Sequence, residues 1–388
     1  MKLVLPRETA AETPLTESAQ AVLRTLARIG PTTRPQLSAL LSLSKPTMSV
    51  AVAELIGQGL VAPSGSTQGA TGRRATIYGL GSGAGHVIGV DAGSTQVRAL
   101  AQTLDGRRLA EVEERLARGQ RHVSPAMSAA VRAAADRVSA AVGGAFGPLR
   151  AIAVALPVVV SANRPEITHK GDMETLLEAF EPAAPVPLIL ENNVNCAALA
   201  EMHHGAARER GSFAYLQVGI KIGLGIVHEG RLFRGFHGAA GEVARVPFPW
   251  SETEMPRREG LEHHLGAEAL MRRVARDWPA VEGPCPRDAA GLFERAAAGS
   301  PAAQRWVERH AADIGRMIVA CVGILDPGLV VLGGGVGQNP VLAREARKVV
   351  SSLVWPTEIV TSSLGNRGTA LGAVQLAADY ALEAILGG

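Results

Sequence analysis

The sequence GVDAGST at residues 89–95 ends an apolar run and begins a turn that contains glycine. A turn of this kind after a β-strand presents backbone N–H groups to phosphate, and an aspartate beside it can hold a metal ion. Asp91, Gly93 and Thr95 are therefore candidate residues of a nucleotide site. Short strings of this type also arise by chance, so the interpretation depends on the sequence around them.

The sequence that surrounds this turn alternates between apolar runs bounded by glycines and stretches of helical periodicity. This alternation is typical of α/β sheets that are covered by helices. The apolar runs begin at residues 86, 99, 151, 186, 213, 223 and 329, and helices are expected at 124–141, 174–180 and 304–325.

The first 80 residues have a different pattern, in which three short helices precede two strands. Thr16, Thr33 and Ser44 can each cap a helix, and Thr33 with Gln36 has the spacing of a capping box. The apolar positions expected to face a core are Val22, Leu23, Leu26 and Ile29, then Leu37, Leu40 and Leu41, then Met48, Val52, Leu55 and Ile56.

Two β-like stretches follow at residues 60–63 and 75–80, joined by a basic loop at 64–74. Three helices followed by a hairpin with a basic tip predict a winged helix-turn-helix domain at residues 16–81. Residues 1–15 are polar and are expected to form a flexible N-terminus. Gly81–Gly85 is expected to act as a flexible joint.

Positive charge is concentrated in this N-terminal region. Residues 1–80 contain eight Lys or Arg and four Asp or Glu, a net charge of +4, whereas the whole chain carries +3. A basic winged helix predicts a double-stranded DNA partner, although a plain three-helix bundle is the alternative. The candidate DNA-binding residues are Arg34, Ser44, Lys45, Thr47, Ser49, Val50, Arg73 and Arg74.

Composition excludes several other classes of protein. Aromatic residues make up only 4% of the chain, which disfavours a single-strand-binding surface built on base stacking. The three cysteines are far apart in sequence and indicate neither a disulfide framework nor a metal site. The chain has no apolar run of membrane-spanning length and no signal peptide, so we expect a cytoplasmic protein without membrane contact.

Three further signatures follow GVDAGST in order: ENNVNCAA at 191–198, GLGIV at 223–227 with GRLFRG at 230–235, and a glycine turn at 333–335. Together they resemble the ROK family of repressors, open reading frames and sugar kinases. The resemblance implies an α/β fold in which the winged helix-turn-helix precedes a two-lobed actin-like ATPase body similar to a sugar kinase. The first lobe would comprise 85–200 plus 375–388, and the second lobe, 201–374, would carry the effector cleft and dimer contacts.

The departures from the family pattern argue against kinase chemistry. Asn193 stands where the family's kinases have the aspartate that acts as general base, and a carboxamide is not basic at neutral pH. Ile220 and Lys221 replace a hydroxyl residue and a glycine of the phosphate loop. We therefore predict no catalytic residue and a vestigial nucleotide site formed by Asp91, Gly93, Thr95, Lys221, Gly223, Gly333, Gly334 and Gly335.

The family's zinc site is also altered. Arg245 occupies the position of a ligating histidine, and residues 257–262 lack the cysteines of the family pattern. Guanidinium does not bind zinc, whereas neutral imidazole and thiolate do. We therefore predict no structural zinc, no other metal and no cofactor.

The sugar pocket is the part that the resemblance implies to be retained. The residues implied to contact a carbohydrate effector are His169, Asn192, Asn193, Glu242, Arg245 and Glu262. Two nearby cations, Arg245 and Lys221, favour an anionic sugar. The alternative is a closed, empty cleft in which these side chains satisfy one another.

The sequence thus predicts a transcriptional repressor whose body senses a sugar or sugar derivative without phosphorylating it. ROK repressors are homodimers or homotetramers that release operator DNA when the effector binds. Two alternatives remain: an active sugar kinase with an accessory DNA-binding domain, and a repressor whose body only dimerises.

Overall fold

The computed structural model describes residues 3–5, 14–68, 74–116, 123–161, 176, 186–249 and 251–387. The chain divides into two compact units. The first unit comprises Lys2–Asn193 with Ala373–Gly388, and the second unit comprises Val194–Gly372. Apart from Leu176, the helix expected at 174–180 lies outside the described residues.

In chain order, the elements up to residue 204 are β1 (Leu3–Leu5), α1 (Glu17–Ile29), β2 (Thr32–Thr33), α2 (Arg34–Leu41), α3 (Lys45–Gly57), β3 (Val61–Gln68), β4 (Arg74–Leu80), β5 (His86–Ala92), β6 (Gln96–Thr103), β7 (Arg108–Arg115), α4 (Pro125–Val142), β8 (Leu149–Leu156), β9 (Leu188–Asn192) and α5 (Asn193–His204). The remaining elements are β10 (Phe213–Val218), β11 (Ile222–His228), β12 (Arg231–Leu232), α6 (Glu262–Leu265), α7 (Ala267–Asp277), α8 (Ala289–Ala297), α9 (Pro301–Leu325), β13 (Leu329–Gly333), α10 (Gly334–Gly337), α11 (Pro340–Leu353), β14 (Glu358–Thr361) and α12 (Gly368–Ile385).

The three N-terminal helices begin where the sequence places their caps. The Thr16 hydroxyl accepts from the Ala19 N–H, Thr33 and Gln36 form a complete capping box, and Ser44 accepts from the Thr47 N–H. These caps satisfy donors that a helix leaves open at its start. Three apolar positions expected to be buried are instead exposed, because each lies in the last turn of its helix, beyond the small core: Ile29 (45%), Leu40 (57%) and Ile56 (38%).

The wing is longer than the sequence indicates. Strands β3 and β4 pair antiparallel as far as Gln68 and Arg74, and β2 joins the other edge of β4. Most of β3 is exposed and rich in Ser, Thr and Gly. A ribbon that is solvated on both faces needs no apolar alternation, so hydrophobic periodicity could not reveal its length.

The expectation of a flexible joint at Gly81–Gly85 is wrong. Residues 82–84 form a 3-10 turn, and the Gly81 and Gly83 N–H groups donate to the carbonyls of Leu60 and Gly59. A Cβ on Gly81 would lie 2.3 Å from the Gly59 oxygen, so glycine is required for close backbone contact rather than for mobility.

The other side of the joint is equally close. The Arg150 guanidinium donates to the Gly83 carbonyl at 2.5 Å. Gly147 has φ +71°, and a Cβ there would lie 1.7 Å from the Ser82 oxygen. Gln20 of α1 also donates to the Leu386 carbonyl after α12 at 3.0 Å. The winged helix is therefore fastened to the rest of the first unit at two places.

The body of the first unit is a mixed sheet in the order β1-β9-β8-β5-β6-β7 among the described strands. Strands β5, β8 and β9 are parallel, and β6 and β7 continue the sheet antiparallel. Helix α4 packs on a core that includes Ile88, Val90 and Val154. The backbone of Leu3–Leu5, expected to be part of a flexible terminus, instead pairs with β9.

The second unit is built on a sheet in the order β12-β11-β10-β13-β14 within the described part of the chain. Strand β13 lies parallel to β10 and β14, whereas β11 forms a hairpin with β10. Its core joins Leu216 and Leu332 to Ile314 of α9 and Ala346 of α11. The two units together confirm the expected α/β class.

No single helix among the described residues is long and apolar enough to cross a bilayer. Helices α2 and α3 reach that length and composition only as a pair bent by 115°.

Substitution of Gly147 by alanine tests the joint. We expect Gly147→Ala to lower the free energy of unfolding by about 2 kcal/mol or more, because it forces a left-handed residue against the Ser82 carbonyl. Gly144→Ala is the matched control, since a Cβ there meets nothing within 4 Å. Chemical denaturation of both variants measures the difference, and equal stabilities would contradict the close contact.

Candidate functional sites

Helix α3 presents a polar surface at its N-terminal end. Lys45, Thr47, Ser49 and Val50 are exposed, and Val50 has 66% of its surface accessible. The opposite face, which includes Met48, Val52 and Leu55, is buried. Ser44 lies at the same end, but its hydroxyl caps the helix and contacts the Thr47 hydroxyl at 2.8 Å. This arrangement suits a helix that enters a groove by its N-terminus.

The candidate arginines differ in their surroundings. Arg74, on β4, is exposed and donates to the Ser66 hydroxyl at 3.1 Å. Arg34 is half-buried, and its guanidinium carbon lies 4.7 Å from the centroid of the Tyr78 ring. This cation–π contact joins α2 to the wing and could not be foreseen from the sequence. Arg73 lies outside the described residues.

The first glycine turn connects β5 to β6, and Asp91 lies opposite Arg98 in that pair of strands. Asp91 is only 9% exposed. Burial raises the pKa of Asp91 to about 7, and the Arg98 charge opposes that rise. Asp91 therefore exchanges its proton near neutral pH.

The other two residues of this turn differ in their surroundings. Thr95 is exposed, and a Cβ on Gly93 would meet the Gln96 carbonyl at 2.7 Å.

Close packing or backbone conformation requires glycine at most of the second-unit positions that the sequence assigns to a nucleotide site. A Cβ on Gly223 would lie 2.8 Å from Val194 of α5, and one on Gly333 would lie 2.0 Å from the Tyr215 hydroxyl. Gly334 has φ +79°, whereas Gly335 has open space around it. Three of these four glycines are thus required by the fold whether or not a nucleotide binds.

Acidic and basic side chains gather around the β10–β11 turn of the second unit. The Arg245 Nε atom donates to Glu242 at 3.2 Å. Burial raises the pKa of Glu242, with the Arg245 and Lys221 charges opposing the rise. Burial also raises the pKa of Glu262, opposed by Lys221 and by a hydrogen bond from the Ile222 backbone. Lys221, assigned to the nucleotide set from the sequence, therefore acts on the carboxylates of the effector set.

This cluster, Lys221, Glu242, Arg245 and Glu262, carries no excess of positive charge. Glu259 adds a third carboxylate, because its charge acts on both Glu242 and Glu262. Lys221 and Arg245 thus face three carboxyl groups, and His263 is a further basic neighbour of Glu262. The electrostatic argument for an anionic ligand, which counted only the cations, is weakened by these neighbours.

The two asparagines of the effector set lie in the first unit. The Asn192 side chain donates to the Val158 carbonyl at 3.1 Å, and its backbone N–H donates to Glu191. Asn193 is half-buried where α5 begins. The second unit brings Glu242, Arg245 and Glu262 together, while His169 lies outside the described residues.

The residues at the family's zinc position do not fit that metal. The Arg245 guanidinium pairs with Glu242, and the stretch at 257–262 offers no thiolate. No group of three or more His, Cys, Asp or Glu side chains suited to a metal occurs among the residues that the structure describes. Zinc sites in proteins are built from three or four such side chains, mostly Cys and His.

Comparison with known proteins gives the family. The model of the ROK family matches residues 87–380. The chain belongs to the ROK family. A xylose repressor of Bacillus spizizenii is 22% identical over 376 residues, which cover 94% of this chain and 95% of that protein. A β-glucoside kinase of Klebsiella pneumoniae is 28% identical over 231 residues, which cover 58% of this chain and 76% of the kinase.

A solved structure has the same fold over nearly the whole chain. It is a ROK family transcriptional regulator, described as a homologue of the E. coli MLC protein, with a TM-score of 0.74 and 18% sequence identity. The match covers 95% of this chain and 96% of that one. The chain therefore has the architecture of a ROK regulator, including the region that precedes the sugar-kinase-like body.

The buried Asp91 predicts a pH dependence of stability. Its pKa of about 7 in the folded protein exceeds the value of 3.8 in the unfolded chain, so the folded state binds the proton more tightly. The free energy of unfolding should therefore fall as the pH rises from about 4 to about 7, by roughly 3 kcal/mol. Asp91→Asn should remove this part of the pH dependence. Parallel curves for the two proteins in thermal unfolding at pH 5 and 7.5 would contradict the assignment.

Proposed function

We propose that this protein is a sugar-responsive transcriptional repressor that binds double-stranded operator DNA. The observation that carries the proposal is the match to xylose repressors over almost the whole chain, which includes the helix-turn-helix as well as the body. The exposed polar end of α3 supports it independently. A sugar kinase needs no such N-terminal surface.

DNA contact is proposed to rest on phosphates more than on base edges. Lys45 is the only cation on the exposed end of α3, whereas Ser49 and Thr47 offer short hydroxyls and Val50 could pack on a thymine methyl group. Arg74, and Arg73 beside it, would reach phosphates or a narrow minor groove from the wing. Arg34 is proposed to act mainly by packing on Tyr78.

The effector is proposed to be a neutral sugar. Carboxylates and amides both suit a polyol, because each hydroxyl group donates and accepts a hydrogen bond. Glu242, Arg245 and Glu262 of the second unit would contact it. The carboxylates around Lys221 and Arg245 favour a neutral ligand over a sugar phosphate or uronate.

The protein is proposed to lack kinase activity. Asn193 replaces the general base, and the phosphate loop contains a Lys and an Ile that is 45% exposed. Kinases are also among the relatives, which makes an active sugar kinase the competing proposal. An assay of ADP release over a panel of sugars decides between them, and turnover at an ordinary kinase rate would overturn the proposal.

We further propose a cytoplasmic homodimer or homotetramer that lacks zinc. A dimer would present two winged helices to half-sites about one helical turn of DNA apart. Since the joint at residues 81–85 is packed rather than loose, a change in the first unit would move the winged helix with it. Effector binding could then change the spacing of the two reading helices.

Lys45→Ala tests the DNA surface. The affinity of the protein for a DNA fragment from upstream of its gene should fall by about tenfold. The slope of the logarithm of the association constant against the logarithm of the salt concentration should decrease in magnitude by about 1. Lys348→Ala is the control, because Lys348 is also exposed but lies on α11 and pairs with Glu345. Fluorescence anisotropy at several salt concentrations measures both, and unchanged binding by Lys45→Ala would remove α3 from the interface.

Glu262→Gln tests the effector site. Loss of a charged hydrogen-bond acceptor should weaken binding of a sugar such as D-xylose by about tenfold or more. Glu254→Gln changes an exposed carboxylate of the same region and serves as the control. Calorimetry gives the affinities. If no sugar in a broad panel binds the unmodified protein while operator binding is intact, the body is a dimerisation scaffold and the sensing role is wrong.

A further inference from the structure

The one-turn helix α6 carries two polar residues with different surroundings. Glu262 lies under the influence of Lys221 and receives a hydrogen bond from the Ile222 backbone. His264, two residues later, contacts Asp313 of the long helix α9. Successive helical residues turn by about 100°, so these two side chains leave α6 on nearly opposite sides. The short helix thus connects the candidate effector residues to α9.

The contacts of His264 use both ring nitrogens. The Nε2 atom lies 3.0 Å from Asp313 Oδ2, and the Nδ1 atom lies 3.4 Å from the Arg273 guanidinium. These partners fit a ring that donates from Nε2 and accepts at Nδ1. Arg273, on α7, also donates to the His264 carbonyl at 2.7 Å. Both the side chain and the backbone of His264 are therefore held.

Asp313 is the centre of this arrangement. Its side chain is 13% exposed and also accepts from Arg316 at 2.6 Å. Burial acts to raise the pKa of Asp313, but the hydrogen bond from His264 and the charges of Arg273 and Arg316 outweigh it and hold the pKa below its ordinary value. Asp313 therefore remains ionised at neutral pH and keeps its three basic partners, His264, Arg273 and Arg316, in place.

The loop before α6 contacts the His264 imidazole. Phe248 lies against His264 with 4.6 Å between ring centroids. Phe248 and Arg257 exchange both backbone hydrogen bonds, and the Leu261 N–H donates to the Val246 carbonyl at 3.2 Å. We call residues 246–249 and 251–265 the clamp segment. It follows the position where the family pattern has a zinc-binding histidine, and it contains the stretch that lacks the family's cysteines.

We propose that His264, Asp313 and Arg273, with Phe248 stacked on His264, form a metal-independent clamp that positions Glu262 for effector binding. The clamp replaces metal coordination by ion pairs, hydrogen bonds and one ring contact. Asp313 and Arg273 are positioning residues, since they act through α6. The link to effector binding rests on the proposed function, whereas the holding of the clamp segment does not.

An apolar anchor alone is the competing explanation. Leu261 and Leu265 are 7% and 1% exposed and pack in the core of the second unit. If they suffice, loss of the Asp313 charge should leave the clamp segment in place. The two explanations therefore differ in local opening of the segment rather than in overall stability.

Hydrogen exchange of the full chain tests the clamp without any ligand. In Asp313→Asn, exchange in the clamp segment should accelerate at least tenfold, while strands β10, β11 and β13 keep their protection. Phe248→Leu, which removes the ring but keeps an apolar side chain, should have a smaller effect in the same segment. Glu308→Gln, an exposed carboxylate on the same helix α9, should change nothing. Unchanged exchange in Asp313→Asn, or a uniform increase over the whole unit, would overturn the proposal.

Metal and sugar measurements complete the test. Treatment of the unmodified protein with EDTA should leave exchange in the clamp segment unchanged, and acceleration to the level of Asp313→Asn would show that a metal holds it. With D-xylose and D-glucose as probes, calorimetry should give at least fivefold weaker binding for Asp313→Asn. Absence of binding by the unmodified protein would count against the sensing function alone, because the exchange result still decides the clamp.

Discussion

The arrangement of the first unit depends on backbone contact between residues 81–83 and two distant glycines, Gly59 and Gly147. A Cβ on Gly81, Gly83 or Gly147 would each lie within 3 Å of a backbone carbonyl oxygen, so a side chain at any of these three positions would have to displace it. Dense packing of this kind transmits displacement instead of absorbing it. The winged helix is therefore a fixed extension of the first unit. For a regulator this matters more than the strength of any single DNA contact. A winged helix on a flexible linker would not move when the conformation of the rest of the unit changes.

The sequence was most informative where structure is determined locally. Helix caps at Thr16, Thr33 and Ser44 and the alternation of strands with helices depend on neighbouring residues, and these predictions are confirmed. It was least informative where the deciding contact comes from far along the chain. Glycines at 81–85 suggest a flexible linker, but close contacts with Gly59 and Gly147 pack this segment against its surroundings. Likewise, glycines at 223 and 333 resemble a phosphate loop but are required by Val194 and Tyr215.

The candidate effector residues also combine positions that the sequence identifies with contacts that only the folded chain reveals. Motif order identified Glu242, Arg245 and Glu262, which the structure brings together around Lys221. Their electrostatic balance could not be read from the motif, since it includes Glu259 and depends on burial. His264 and Asp313 are 49 residues apart in sequence, and no spacing rule relates them. A hydrogen bond of this kind is revealed only by the packing of α9 against α6.

Helix α6 has only one turn, and the spacing of its residues directs Glu262 toward Lys221 and His264 toward Asp313. Insertion or deletion of a single residue between 262 and 264 would rotate one partner by about 100° and separate either the carboxylate from Lys221 or the imidazole from Asp313. The exposed residues 251–256 face no such restriction. Chains in which one helical turn makes both of these contacts are therefore expected to differ in length within the loop at 251–256. They should keep the three positions from 262 to 264 without gaps, which gives a criterion for aligning them.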